Sequence, residues 1–186
     1  MYAQGSQSFT PVNTKSTPPS NADVESAVLG SILADNALLD KVGDFLKPTH
    51  FFHDLHGKIY EAASELIKQG KTASPITLRT YFETALPVET EFGNPLPVPQ
   101  YLARLISLQT IPSSLRDYGQ TLVDLSHRRQ VIIAAEDMLA AAYEPRPTVS
   151  VAKIADEGMA KLFEISKAAS PDQSDLTFSE IVTDTP

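Results

Sequence analysis

Three histidines recur at three-residue spacing, His50, His53 and His56, with Asp54 among them, and imidazole beside carboxylate is the donor chemistry that holds zinc. The spacing argues against a metal. Helical histidine pairs that bind zinc are usually four apart, and a structural site needs four convergent ligands. His56 is expected instead to open a helix and to hydrogen-bond across the turn before it. Gly70, Lys71 and Thr72 spell the end of a phosphate-binding loop, but Glu65 stands where that loop needs its first glycine, and the triplet follows a helical pattern rather than a strand. What remains is a helix C-terminus, with Lys68 and Lys71 suited to its negative end. No G-x-S-x-G elbow, no H-E-x-x-H and no paired acidic motif occurs. Asp35, Asp40 and Asp44 fall on polar helix faces, where charge is ordinarily solvated. The residues therefore predict no catalytic, cofactor-binding or metal-binding position in this chain.

Composition agrees with an ordinary soluble globular chain. The chain of 186 residues is 42% hydrophobic and 20% charged, with a net charge of -8, neither the profile of a disordered segment nor that of a membrane protein. Acidic residues outnumber basic ones 23 to 15, and the densest basic site is His127, Arg128 and Arg129. Nucleic-acid binding rests mainly on clustered Lys and Arg that neutralise phosphates, so tight DNA binding by this chain alone is not expected. The absence of cysteine removes disulfides and thiolate zinc sites and sits with a reducing cytoplasm. No run approaches the roughly 18 apolar residues that span a bilayer, and no signal-peptide core is present. No membrane association is expected.

The elements that position these residues read as helices throughout. Residues 1–20 are rich in Ser, Thr, Pro, Asn and Gln and read as a flexible tail. A first helix is expected from Ser20 or Asn21 as N-cap, with Asp23 and Glu25 favoured at its positive end and Val24, Ala27, Val28 and Ile32 as its buried stripe. Asn36 is expected to cap a second, with Leu38, Leu39, Val42, Phe45 and Leu46 on one face, ended by Pro48. A third should run from about Asp54 to Gln69, turning Ile59, Tyr60, Ala63, Leu66 and Ile67 inward before Gly70. Ser74 and Pro75 begin a fourth that carries Ile76, Leu78, Tyr81, Phe82 and Leu86. After a proline-rich loop over Pro87 to Pro99, a fifth from Gln100 to Leu108 buries Tyr101, Leu102, Leu105 and Ile106.

From Ser113 or Ser114 to about Tyr143 the pattern predicts one helix of about 30 residues, against a typical length near 11 or 12. Leu115, Tyr118, Leu122, Leu125, Arg129, Ile132, Glu136 and Leu139 step by three and four, a heptad-like seam interrupted by Arg129 and Glu136. Packing on its own domain and service as an oligomer interface fit this seam equally. Pro145 and Pro147 break the chain, and Ser150 caps a last helix with Val151, Ile154, Ala155, Leu162, Phe163 and Ile165 apolar. The expected fold is all-α: a compact multi-helix head over residues 21–110, then a long antiparallel helical hairpin over 111–168. Residues 169–186 read as a linker segment.

Glu25, Val28, Leu29 and Gly30 form an E-x-x-V-L-G pattern. Leu46, Pro48, Phe51 and Phe52 are followed by His56, Ile59 and Tyr60, an L-x-P-x-x-F run and then H-x-x-I-[FY]. With Ile76, Thr77 and Leu78, then Tyr101, Leu102 and Leu105, then Tyr118, Arg129 and the run Ala142 to Pro145, and finally Phe163 to Ile165, the series resembles the N-terminal domain of DnaB-type replicative DNA helicases. It covers about Asp23 to Ile165. The chain departs from the family where a Gly-Gly often precedes the Y-L pair, since Phe92, Gly93 and Asn94 stand there. The ATPase domain with its phosphate loop is also expected beyond Pro186, in a longer chain of which this is a segment.

The resemblance implies a scaffold: domains that pair through the hairpin, assemble as a trimer of dimers on a hexameric ring in the bacterial cytoplasm, and dock primase, with a helicase loader as a further partner. ATP and Mg2+ are implied for the motor domain only. Structural positions of the family motif would be Glu25, Val28, Leu29, Gly30, Pro48, Phe52, His56, Ile59 and Tyr60. Self-association would use Tyr118, Leu122, Leu125, Ile132, Leu139, Leu162 and Phe163. The alternative is a stand-alone adaptor of phage or plasmid type that captures primase or helicase.

Overall fold

A computed structural model of the chain describes residues 17–82, 87–88, 95–144 and 150–169. Most of the expected tail, the tip of the hairpin turn, Leu86, the Phe92 to Asn94 departure and nearly all of the expected linker lie outside these residues. The described chain is helical, and its one β-feature is an isolated bridge between Val88 and Leu96 within the expected loop.

Helix α1, Ala22–Ala34, starts where Asn21 Oδ1 accepts from the Val24 amide at 3.1 Å. An apolar stripe was the expectation, yet every residue from Glu25 to Leu33 is buried, because α1 is the axis around which the head is built. Helices α2 (Asp54–Lys68), α4 (Val98–Ser107) and α5 (Leu115–Tyr143) all pack on it. Its small residues permit that closeness. A Cβ on Gly30 would stand 2.0 Å from the Leu105 carbonyl oxygen on α4, so only glycine fits this crossing. Ser31 Oγ donates to Ala27 O at 2.7 Å and accepts from Thr110 N at 3.0 Å, fixing the end of α4 to the same helix. Val28, Leu29 and Ile32 are sealed in the core, each worth roughly 1.5–3 kcal/mol of transfer free energy.

The segment expected as a second α-helix is a 3-10 helix over Asn36–Lys41 followed by turns. Its cap is Asp35, whose Oδ1 accepts from Ala37 N at 3.1 Å, and not Asn36. Asn36 is engaged elsewhere: its amide nitrogen donates to Ile32 O and Ala73 O, and its oxygen accepts from Ala73 N. That bracket holds the chain in the tighter helix, while Leu38, Leu39, Val42 and Leu46 still reach the core.

Helix α2, Asp54–Lys68, follows the expected pattern and ends at Gly70, the described glycine with positive φ (72°). The Lys71 amide bonds back to Leu66 O at 2.9 Å, so the Gly70-Lys71-Thr72 triplet is a helix terminus. Ser74 and Thr77 form a capping box, but helix α3 is only Pro75–Leu78 before it tightens into a 3-10 turn over Arg79–Phe82. In that geometry Leu78 and Phe82 face the core, whereas Ile76 and Tyr81, expected inside, are 85% and 52% exposed. Helix α4, Val98–Ser107, begins two residues earlier than expected, since Pro99 in its first turn lacks an amide that would be unpaired there anyway. Leu102 and Leu105 are fully buried.

Helix α5, Leu115–Tyr143, is 29 residues long. Its first half belongs to the head: Leu115, Gly119, Leu122, Val123 and Ser126 are buried, and a Cβ on Gly119 would press on Val42 and Phe45. Beyond His127 only Ala134 is buried. Helix α6, Val151–Ala169, runs back antiparallel along this outer half. Gly158 sits against Met138, and Lys161 Nζ pairs with Asp137 at 2.8 Å.

Candidate functional site

Glu25 reaches from α1 into the turn that precedes α2 and is 1% exposed. Its Oε1 accepts the Phe52 amide at 2.6 Å. Its Oε2 accepts His56 Nδ1 at 2.6 Å and His53 Nδ1 at 2.8 Å, with the His53 amide at 3.4 Å. Burial pushes this carboxyl upward, but the bonds from His56, the Phe52 amide and His53 outweigh it and hold it below its ordinary value. The carboxylate is therefore ionised at neutral pH and can only accept. Both Nδ1 atoms must donate. His56 Nε2 in turn meets the Tyr101 hydroxyl on α4 at 2.6 Å, with the two rings stacked at 5.8 Å. One buried carboxylate thus joins α1, α2 and, through His56, α4.

The expected histidine series divides. His53 and His56 converge on Glu25, while His50 turns to α5, its ring 6.3 Å from that of His127. Burial and the positive charges of His127, Lys47 and Arg129 push His50 down to about 4. Asp54 pairs with Lys58 on the surface of α2 at 2.6 Å. The helix-opening place foreseen for His56 is correct, but its partners are Glu25 and Tyr101. Glu25 itself, read from sequence as a charge at a helix end and as the first residue of the E-x-x-V-L-G pattern, is the centre of the arrangement. Its neighbours of opposite character lie 27 to 31 residues away, beyond any local periodicity.

Arg129 was expected to interrupt an apolar seam. It leaves α5 toward the head, donating through Nη1 to Pro19 O at 2.8 Å and through Nη2 to His50 O at 2.9 Å, with its guanidinium 5.6 Å from the Phe52 ring centre. The turn carrying Glu25's hydrogen bonds is thus also the seat of the hairpin.

The other motif residues are structural. Val28, Leu29 and Ile59 fill the core, Tyr60 donates to Leu46 O at 3.0 Å, and Pro48 starts a 3-10 turn whose carbonyl lies against Gly57. The seven positions expected to mediate self-association separate into two groups. Leu122 is 1% exposed in the core of its own chain and offers no outer face, while Tyr118 is half-buried against that core. Leu125 and Phe163 are half-buried, and Ile132, Leu139 and Leu162 are exposed on the outer hairpin. Val131, Ile133, Tyr143, Val151 and Met159 join them there, and a shallow apolar hollow of about 460 Å³ lies between Ile133, Ala134, Ala160 and Ile165. The contiguous run Val131 to Ile133 was the sequence signal for this surface, but a three-and-four count takes only Ile132 from it.

An all-helical head wired through a buried carboxylate, with a helical hairpin presenting apolar side chains outward, defines the class of this chain by its fold. Residues 17–124 match the DnaB-like helicase N-terminal domain, and the chain belongs to that family. It is 33% identical over 163 residues to the replicative DNA helicase DnaB of Rickettsia conorii and 36% identical over 150 residues to that of Rickettsia prowazekii. The matched segments cover 88% and 80% of this chain but 31% and 30% of those relatives, so the chain spans about a third of their length. The N-terminal domain of DnaB helicase from Mycobacterium tuberculosis shares the fold, with a TM-score of 0.66 at 22% identity over 80% of this chain and 99% of that one. A DnaB-like replicative helicase whose structure was described with its interactions with primase matches at a TM-score of 0.56 and 21% identity, over 89% of this chain and 36% of that one.

Proposed function

We propose that this chain acts as the interaction collar of a hexameric replicative helicase at the bacterial replication fork, pairing through its hairpin and docking primase on the assembled surface. The observation that carries this reading is the outer hairpin, where Val131, Ile132, Ile133, Leu139, Tyr143, Met159 and Leu162 stand exposed on α6 and on the half of α5 beyond His127, in which Ala134 and Gly158 are the buried residues. Exposed apolar clusters of this kind are ordinarily covered by a partner. Hairpins carrying one face per copy suit a closed, two-fold pairing. Primase is assigned as a partner because a structural neighbour is described with it, and a helicase loader as a further one. ATP hydrolysis with Mg2+ and strand separation are assigned outside these residues, which offer no phosphate loop. Among the described residues no helix is long and apolar enough to cross a membrane.

The deciding experiment is light scattering on the purified chain, alone and mixed with the cognate primase. A mass of two or more copies, and co-elution with primase, is expected. A monomer at high concentration that ignores primase removes the proposal. Capture of intact helicase by this chain in preference to primase would instead favour the stand-alone adaptor.

A further inference from the structure

The Glu25 cluster holds more than its hydrogen bonds require. Glu25 Oε2, His53 Nδ1 and His56 Nδ1 are three ligand-type atoms within 4.8 Å of one another, gathered from two separate segments. We propose that they form a binding site for a divalent transition ion of the zinc type, with a water completing the coordination on the solvent side of His53.

The donor set is suitable, since two imidazoles and one carboxylate favour zinc, cobalt and nickel over magnesium or calcium. Three protein ligands with one open position is also the pattern of zinc sites that remain accessible. The supporting contacts are already in place. Glu25 Oε1 is tied to the Phe52 amide, which leaves Oε2 as the inward lone-pair donor, and His56 is backed at Nε2 by Tyr101. Such outer hydrogen bonds orient ligands and raise their basicity. His53 provides the entry, because its side chain is 44% exposed whereas Glu25 and His56 are sealed.

The distances define the adjustment required. Tetrahedral zinc with bonds near 2.0–2.1 Å spaces its ligand atoms about 3.3 Å apart, whereas the present separations from Oε2 are 2.6 and 2.8 Å. The His53 edge must open by about 0.5 Å, which a half-exposed His53 at the mouth of the turn can supply, and the His56 edge by about 0.7 Å, which takes a small turn of the Glu25 carboxylate or the His56 ring inside the cluster. The two Nδ1 protons now directed at one oxygen give way to the ion. Arg129, a cation whose charge acts on Glu25, points its nitrogens at the carbonyls of Pro19 and His50.

Metal binding through Nδ1 has a consequence that a purely structural cluster lacks. In the metal-free protein His56 carries its proton on Nδ1 and Nε2 accepts from Tyr101. With the ion on Nδ1 the proton resides on Nε2, and the hydrogen bond to Tyr101 reverses direction.

The test is a titration of the 186-residue chain with Zn2+ followed by 15N NMR of the imidazoles, paralleled by Co2+ and its visible absorption. One equivalent is expected to move His53 and His56 from Nδ1–H to Nε2–H and to give Co2+ a tetrahedral spectrum. His53→Ala should weaken binding on the order of 100-fold, the upper range seen even for loss of a supporting contact. His127→Ala, which disrupts the separate His50–His127 pair, should leave it unchanged. An unaltered His56 tautomer in the wild-type chain at excess Zn2+ overturns the proposal without any variant. So does binding that survives His53→Ala or disappears in His127→Ala.

Discussion

The Arg129 guanidinium donates to the His50 carbonyl at 2.9 Å, so the polar residue that interrupts the long helix's apolar spacing is the point at which that helix is fastened to the head. The same side chain holds Pro19 at 2.8 Å, bringing the segment before α1, the turn before α2 and α5 to one fork. A planar guanidinium can address two carbonyls at once, and an ammonium cannot do so with the same geometry. Arg129→Lys should therefore cost about 1–3 kcal/mol despite keeping the charge. Urea denaturation will show it, and a variant with wild-type midpoint would mean the fork contributes nothing.

Glu25→Gln keeps the shape and removes the acceptor. One amide oxygen cannot satisfy two Nδ1 donors and two backbone amides, and its NH2 faces donors instead. A loss of about 3 kcal/mol is expected from the broken charge-assisted bonds and the orphaned histidines. Chemical denaturation of the pair measures it, and a difference under about 1 kcal/mol would remove Glu25 from the centre of the head.

Two glycines should respond to the same substitution for different reasons. Gly30→Ala places its Cβ 2.0 Å from a backbone oxygen that cannot turn aside, and at least about 3 kcal/mol of overpacking is expected. Gly70→Ala meets nothing within 4 Å and suffers only from its positive φ, about 1 kcal/mol. Thermal melts of the two variants should be well separated, and equal losses would count against the α1–α4 contact as the reason for glycine at position 30.

Acid should destabilise the fold in a defined window. His50 is pushed down to about 4 from an ordinary 6.5, so the unfolded chain binds its proton first as pH falls. The stability from the neutral buried ring is complete above about 6.5 and is lost between there and about 4, on the order of 2 kcal/mol. Glu25, also lowered, adds a loss in the same direction as pH falls through its folded value. Denaturation midpoints between pH 7.5 and 4 should slope downward, and His50→Gln should flatten the upper part of the slope. A variant with an undiminished slope would exclude His50 as its source.

Charge placed along α5 should separate folding from assembly. Leu122→Asp puts a carboxylate into the sealed core and is expected to unfold the head at several kcal/mol. Leu139→Asp, at a position 44% exposed, should leave the melting curve nearly unchanged and lower the mass seen by light scattering. Persistence of the wild-type mass would exclude that stretch of hairpin from the contact.

The head was legible in sequence wherever burial follows a local period. Helix α2 obeys its spacing because one face is wet, and Gly70 ends it as turn chemistry demands. The period misleads where the surroundings are uniform or the chain is tightened from a distance. Helix α1 is buried on all sides, so no stripe distinguishes Glu25 from its neighbours. The segment after Asp35 is drawn into a 3-10 helix by Asn36 reaching Ala73, 37 residues on. Long-range polar wiring escaped for the same reason: Arg129 appeared as an interruption, and the histidines appeared as a series of three because their acidic partner lies on another helix.

Helix α5 leaves the head as one unbroken rod, and the 14 residues after Arg129, ending at Tyr143, carry it about 21 Å further at 1.5 Å per residue. Its tip behaves as the end of a lever pivoted at the Arg129 fork. A tilt of about 5° there displaces Tyr143 by about 2 Å, enough to bring an apolar side chain into or out of register with a neighbour. Any tilt set at the turn around His50 and Phe52 would be largest at the far end of the hairpin.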